Sequence, residues 1–167
     1  MVIDFQHHYI PAELAKRRGL YSETDNSLLK EGGPTRSPTM HRRLYDLELQ
    51  LRDMDQAGVD IAVLSCLLGW SAPLEECRMI NDDLARVQRK YPRRFVGLAQ
   101  APVLQGSTAL AELRRAISEL GLHGVAITSQ VDGISLDAPA LYDFYELVCE
   151  LDVPVFVHPA LVPTGYE

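Results

Sequence analysis

Short apolar runs and amphipathic stretches alternate along the chain. The runs are VIDF at 2–5, DIAVLSCLL at 60–68, FVGLAQAPV at 95–103, GVAITS at 124–129 and VPVFVH at 153–158. Each is apolar on successive residues and rich in strand formers, the pattern of strands covered on both faces. The stretches between them carry a helical period. From 43, Leu44, Leu47, Leu51 and Met54 recur at helical spacing, and Gly58 supplies a C-terminal stop. From 73, a second helix starts at Pro73 and ends before Pro92, with Met79, Ile80, Leu84 and Val87 on one face. A third runs from Ser107, read as its N-cap, to Gly121 at its end; a fourth follows Asp137 as cap, with Pro139 in the first turn.

Strand and helix alternating at roughly 30-residue spacing predict parallel βαβ units. A doubly wound sheet usually carries a glycine-rich phosphate loop after its first strand. Here QHHYIP follows instead, with neither GxGxxG nor GxxxxGK[ST]. A (β/α) barrel gathers polar chemistry at the C-terminal ends of its strands. That is where Gln6 and His8, Ser65 and Cys66, Gln100, Thr128 and Ser129, and His158 fall. The expected fold is therefore α/β, a TIM-like (β/α) barrel. A full barrel takes eight strands and about 250 residues, so a chain of 167 residues with five candidate strands reads as a single, incomplete barrel domain over 1–167. The segment 11–40, ending in KEGGPTRSPTM, reads as a loop or lid inserted into it.

Composition narrows the partners. Hydrophobic residues make up 47% and charged residues 23%, an ordinary globular balance. A formal net charge of −7 argues against a nucleic-acid or anionic-membrane surface. The N-terminus has no basic signal-peptide region, and no segment approaches the ~20 apolar residues of a membrane span. Cys66, Cys77 and Cys149 are widely spaced and form no CxxC, which reads as free thiols in a reducing cytoplasm.

The polar strand ends carry the candidate chemistry. Side chains alternate along a strand, so Asp4, Gln6 and His8 are expected to share one face, with Phe5 and His7 on the other. His158 ends VFVH in the same way. Two imidazoles from separate strand ends, converging with oxygen ligands, can hold a divalent metal with open positions. Each histidine also has a plainer reading, as a hydrogen-bonded polar residue at a strand end. His7 is expected to face the helices; His41 and His123 read as solvated.

IDFQHHYIP, RDMDQAGVDIAVLS, NDDLARVQRKYPRRFVGLAQAPV and HGVAITSQVDGISLDAPALYDFYELVCELDVPVFVHPA together resemble the amidohydrolase-related family. It includes aminocarboxymuconate semialdehyde decarboxylase and the resorcylate-type decarboxylases. The resemblance implies a metal-dependent (β/α)₈ barrel whose first strand reads D-x-H-x-H and whose fifth ends in a histidine ligand. Carried over, Asp4 matches the leading aspartate, His8 the second histidine and His158 the fifth-strand ligand. Gln6 falls where the first histidine, or in some relatives a glutamate, would stand. The implied metal ligands are His8, His158 and Gln6, for one zinc or manganese ion. Lys16, Lys30 and Lys90 avoid strand ends, so no bridging carboxylated lysine is expected.

The implied activity is non-oxidative decarboxylation of a small carboxylated aromatic or related acid. Metal-dependent hydrolysis of an ester, lactone or amide is the nearest alternative, and a non-catalytic binding relative comes from another class. The family's later histidine and aspartate would fall beyond Glu167. The chain alone is therefore expected to be inactive, and to form a homo-oligomer or associate with a C-terminal part.

Overall fold

Five parallel strands form one wall with helices packed on its outer side, and a helix or turn follows each of the first four. The computed structural model describes residues 1–21 and 40–159. The strands are β1 (Ile3–His8), β2 (Ile61–Ser65), β3 (Phe95–Gly97), β4 (Val125–Thr128) and, after a small hairpin of β5 (Gln130–Val131) and β6 (Ile134–Ser135), β7 (Val155–His158). β1, β2 and β3 pair in parallel order, as do β4 and β7. A parallel bridge between Ala99 and Val125 joins the two sets, with Ala99 N–H donating to Gly124 O at 2.8 Å and Ala126 N–H to Ala99 O at 2.9 Å. The run expected as one strand over 95–103 thus pairs at Phe95–Gly97 and again at Ala99.

The two faces of the wall divide the apolar residues. Ala62, Leu64, Phe95, Val125 and Ile127 pack outward with helix residues Ile80, Leu84, Leu113 and Phe144 in the main core. Val63, Leu98 and Ala126 form the inner cluster, flanked by Val96 and Phe156.

The helices are α1 (Ala12–Arg17), α2 (Leu47–Ala57), α3 (Leu74–Lys90), α4 (Ser107–Ser118) and α5 (Tyr142–Leu151). Asp46 caps α2 by accepting from Leu49 N–H, and Gly58 ends it in the left-handed region that a residue without a Cβ adopts freely. Leu44 lies before α2, in a 3-10 turn at Arg42–Leu44. On α3 the buried face is Cys77, Ile80, Asn81, Leu84, Ala85 and Val87, and Met79 lies at its margin. Two expected caps differ. Gly106, at φ 76°, precedes α4 where Ser107 was expected to cap, and Ser107 is the first helical residue. Asp137 stands ahead of a 3-10 turn at Pro139–Leu141, and α5 begins only at Tyr142. The segment 11–40 is not wholly loop: α1 occupies its start, buried through Leu14 and Ala15. The remainder of that expected lid, 22–39, lies outside the described residues.

Strand β1 departs from simple alternation. Asp4 pairs with Ala62 but His7 with Leu64, so three steps on β1 match two on β2. This bulge turns Asp4 to the same side as His7, and Phe5 reaches the inner face to meet Phe156 at 6.1 Å between ring centres. Asp4, Gln6 and His8 therefore do not share one face.

Candidate metal centre

The C-terminal ends of the strands open into one mouth, and two of the three expected ligands meet there. His8 pairs with Ser65 and His158 with Thr128. Their ring centres stand 5.3 Å apart at 54°. Phe5 and Phe156 touch one layer below.

The spacing suits a shared ion. A metal–nitrogen bond of about 2.1 Å puts each ring centre roughly 3 Å from the ion, and two rings opening at about 110° then lie roughly 5 Å apart. Each Nδ1 has a partner of its own. His158 Nδ1 lies 2.7 Å from the Pro159 carbonyl, which accepts its proton and leaves Nε2 as the lone-pair nitrogen. His8 Nδ1 faces Ser65 Oγ at 3.5 Å. Burial, with His158 and His7 nearby, holds the His8 pKa below its ordinary value, against a smaller upward pull from Ser65 and Asp4. A neutral imidazole is the form that binds metal.

Gln6 sits in the bulge and is exposed. Its N–H donates to Asp4 Oδ1 at 3.2 Å, and among the described residues no contact joins its side chain to either histidine. His7 turns to the helical side, its Nδ1 2.7 Å from Asp4 Oδ2. Among the described residues, no group of three or more His, Cys, Asp or Glu side chains is arranged to hold a metal. The donor set present thus fits one portion of a coordination shell: two imidazole nitrogens.

The other polar strand ends have structural duties. Ser65 is buried beside His8. Thr128 Oγ1 donates to the Gln130 carbonyl. Gln100 leaves the mouth: its Nε2 donates to Cys66 O at 2.8 Å, while its Oε1 accepts from Cys66 N–H at 3.3 Å. Asn81 holds the Gln100 backbone, accepting from its N–H and donating to its carbonyl, each at 2.9 Å. Asn81 also donates to Glu112 at 2.8 Å, and Arg115 pairs with that buried carboxylate. His41 caps the 3-10 turn through Arg43 N–H, and His123 contacts Gln88.

One aromatic residue belongs to the mouth without having been singled out in the sequence. Trp70, on the 3-10 turn Gly69–Ser71 after β2, lies 4.2 Å from the His158 ring and 5.9 Å from His8, centre to centre. Its indole N–H is buried and finds no acceptor among the described residues. The available signal was the chain's one tryptophan, placed just beyond a strand end. A cavity of about 460 Å³ lies on the helical side, lined by Tyr9, Tyr45, Arg42, Arg86 and Tyr91 among others. It lacks the histidines, and its arginines are paired with Asp46 and Asp83.

An arc of parallel (β/α) barrel with an imidazole pair at its C-terminal mouth defines the class: a barrel of the TIM type, present in part. The chain belongs to the amidohydrolase family, whose model matches residues 3–166. It is 37% identical over 122 residues to 2-amino-3-carboxymuconate-6-semialdehyde decarboxylase of Dictyostelium discoideum, a match covering 69% of this chain and 34% of that protein. Among solved structures it is similar to 5-carboxyvanillate decarboxylase of Novosphingobium aromaticivorans, complexed with manganese and 4-hydroxy-3-methoxy-5-nitrobenzoic acid. There the TM-score is 0.75 at 27% identity, over 98% of this chain and 51% of that one. A 2,6-dihydroxybenzoate decarboxylase complexed with 2,6-dihydroxybenzoate matches at TM-score 0.73 and 28% identity, over 98% and 51%. The chain thus spans about a third of the first relative and half of the two solved structures.

Proposed function

We propose that this chain supplies one side of the catalytic mouth of a mononuclear, metal-dependent carboxy-lyase acting on a small carboxylated aromatic acid. The observation that carries the reading is the His8–His158 pair, two imidazoles at 5.3 Å across the mouth. Its support is the likeness to decarboxylases, one of them a manganese complex. His8 and His158 would hold the ion through nitrogen. When bound, a divalent ion supplies positive charge that binds substrate oxygens and stabilises negative charge developing on them. The chain's own part is to place both imidazoles, His158 through the Pro159 carbonyl and His8 beside Ser65. Phe5 and Phe156 close the floor of the mouth with apolar surface.

Gln6 does not reach the pair, so the likeness to a manganese-bound carboxyvanillate decarboxylase supports manganese, which is our assignment. The free thiols of Cys66, Cys77 and Cys149 support a reducing, cytoplasmic setting. Val2, Ile3, Phe5 and Val157 expose apolar surface at the unpaired sides of β1 and β7, which supports a homo-oligomer. No helix of the described residues is long and apolar enough to cross a membrane.

Manganese titration followed by electron paramagnetic resonance tests the reading. One ion per chain is expected, with binding weakened at least tenfold in His8→Ala and in His158→Ala. Gln6→His is expected to leave zinc affinity unchanged, because position 6 sits in the bulge without contact to either histidine. Manganese affinity equal in wild type and both histidine variants would refute the site.

A further inference from the structure

His158 is the last residue of β7, which pairs with β4 on one side and with none of the other described strands. Its ring is half-buried. The torsion that turns an imidazole about its own axis is broad and soft, so contacts must set the plane of the ring. The Pro159 carbonyl meets Nδ1 at 2.7 Å, but it belongs to the next residue along the same chain. Trp70 comes from another element, and its ring centre lies 4.2 Å from that of His158 at an angle of 31°. That is a face contact. Trp70 meets His8 differently, 5.9 Å away and nearly edge-on at 76°.

The lone pair of an imidazole nitrogen lies in the plane of the ring, whereas a stacked ring lies above that plane. An indole on the face of His158 and an ion at its Nε2 therefore use different sides of one side chain. Turning the imidazole would forfeit the stack, so the contact also fixes where the in-plane nitrogen points.

Trp70 is itself firmly placed, on the 3-10 turn Gly69–Ser71. Gly69 N–H donates to Cys66 O at 3.0 Å, and a Cβ on Gly69 would overlap the Gln100 amide. Gln100 clasps both backbone groups of Cys66. Asn81 of α3 clasps both backbone groups of Gln100, and Glu112 of α4 anchors Asn81. All three side chains are buried. The turn is thus tied to the helical layer.

We propose that Trp70 is a positioning residue for His158: its indole face fixes the plane of the imidazole and with it the direction of the Nε2 lone pair. For what that nitrogen binds, the assignment rests on the carboxy-lyase reading above. It adds that the turn after β2, not β7 alone, aims the histidine of β7.

Ring spectra and metal affinity test this together. In ¹H–¹³C spectra of the metal-free chain, the His158 ring protons, assigned by their loss in His158→Ala, are expected upfield of ordinary histidine protons, shielded by the indole. Trp70→Leu keeps apolar bulk without a flat face. It should return those protons to ordinary positions and weaken manganese about tenfold, the scale of a ligand that has lost its orienting partner. Trp70→Phe keeps a flat face and should restore most of that affinity. Circular dichroism and urea midpoints check that each variant folds. A double-mutant cycle separates positioning from general loosening of the mouth. In a His158→Ala background, Trp70→Leu should cost no further manganese affinity.

Unshielded His158 protons in the wild type overturn the assignment, whatever the variants do. So does a folded Trp70→Leu that binds manganese as wild type does, or whose loss persists without His158. A Trp70→Phe as weak as Trp70→Leu also overturns it. If the wild type takes up no manganese, yet the His158 shielding is present and vanishes in Trp70→Leu, the carboxy-lyase reading falls and the positioning role stands.

Discussion

Replacing Asn81 by alanine removes a side chain that does the work of a missing strand neighbour. Asn81 lies on α3, fully buried, and its amide bonds both the N–H and the carbonyl of Gln100 at 2.9 Å. Asn81→Ala would leave both groups buried without partners, and each such group costs about 1–3 kcal/mol. The carboxylate of Glu112 would also lose a donor at 2.8 Å, though Arg115 stays to hold it. These losses share one network and do not add fully, so the expected destabilisation is about 3–5 kcal/mol. Against the ~5–15 kcal/mol of an ordinary domain, that is a large fraction. Urea unfolding followed by fluorescence of Trp70 measures it, with the m-value checked for change. Asn81→Asp should be no better, because its second oxygen would face the Gln100 carbonyl and the Glu112 carboxylate. A loss below about 1 kcal/mol for Asn81→Ala would show that water or a relaxed backbone satisfies Gln100, and that the network is not what fixes the Trp70 turn.

Two further expectations concern the strand junction and the thiols. A Cβ on Gly124 would stand 2.9 Å from Pro154 O and 3.0 Å from Leu98 Cδ2, so Gly124→Ala should strain the start of the β4–β7 pairing and cost about 1–3 kcal/mol by thermal or urea melting. A stability equal to wild type would mean the wall yields freely at that point. Burial pushes the Cys66 thiol up to about 12, against smaller opposing hydrogen bonds from Leu68 and Gly69; burial and then Glu112 and Glu76 do the same for Cys77. The unfolded thiols ionise from about pH 9 and the folded ones only near 12, so stability should be intact below pH 9 and fall between 9 and 12. At pH 8 a thiol reagent should label Cys149 quickly, and Cys66 and Cys77 only on unfolding. Rapid labelling of all three in the folded chain would contradict the burial.

The strands were legible because each is a short apolar run bounded by turn residues, a pattern made by local sequence. The helices from 43, 73, 107 and 137 were legible for the same reason, although two N-caps moved. Ser107 and Asp137 have good capping chemistry, but the backbone at Gly106 and the turn at Pro139 decide where winding starts. The bulge in β1 left no local mark, since IDFQHH contains neither glycine nor proline. It is set by pairing with β2 and by Phe5 meeting Phe156, partners distant in sequence. Asn81 and Glu112 could have been suspected from periodicity. Asn81 falls between Cys77 and Leu84 on the buried face of α3, and Glu112 between Ala109 and Ala116 on that of α4. Polar residues within an apolar stripe signal a buried network, but they do not reveal that it ends beneath Trp70.

The extra residue in β1 acts as a clutch. Upstream of it, Ile3 and Asp4 run in one phase with β2; downstream, His7 and His8 run in another, locked by Ser65 and by the Tyr9 N–H donating to the Ser65 carbonyl at 3.0 Å. The direction of His8 is thus inherited from the residues that follow it, not from those before. A strand counted strictly by twos would tie position 6 to position 8, so that a change in one would have to respect the other. With the phase reset between them, position 6 can exchange imidazole, carboxylate or amide while His8 keeps its place opposite His158. The first strand is in this sense two short instruments joined end to end, and only the second is tuned to the mouth.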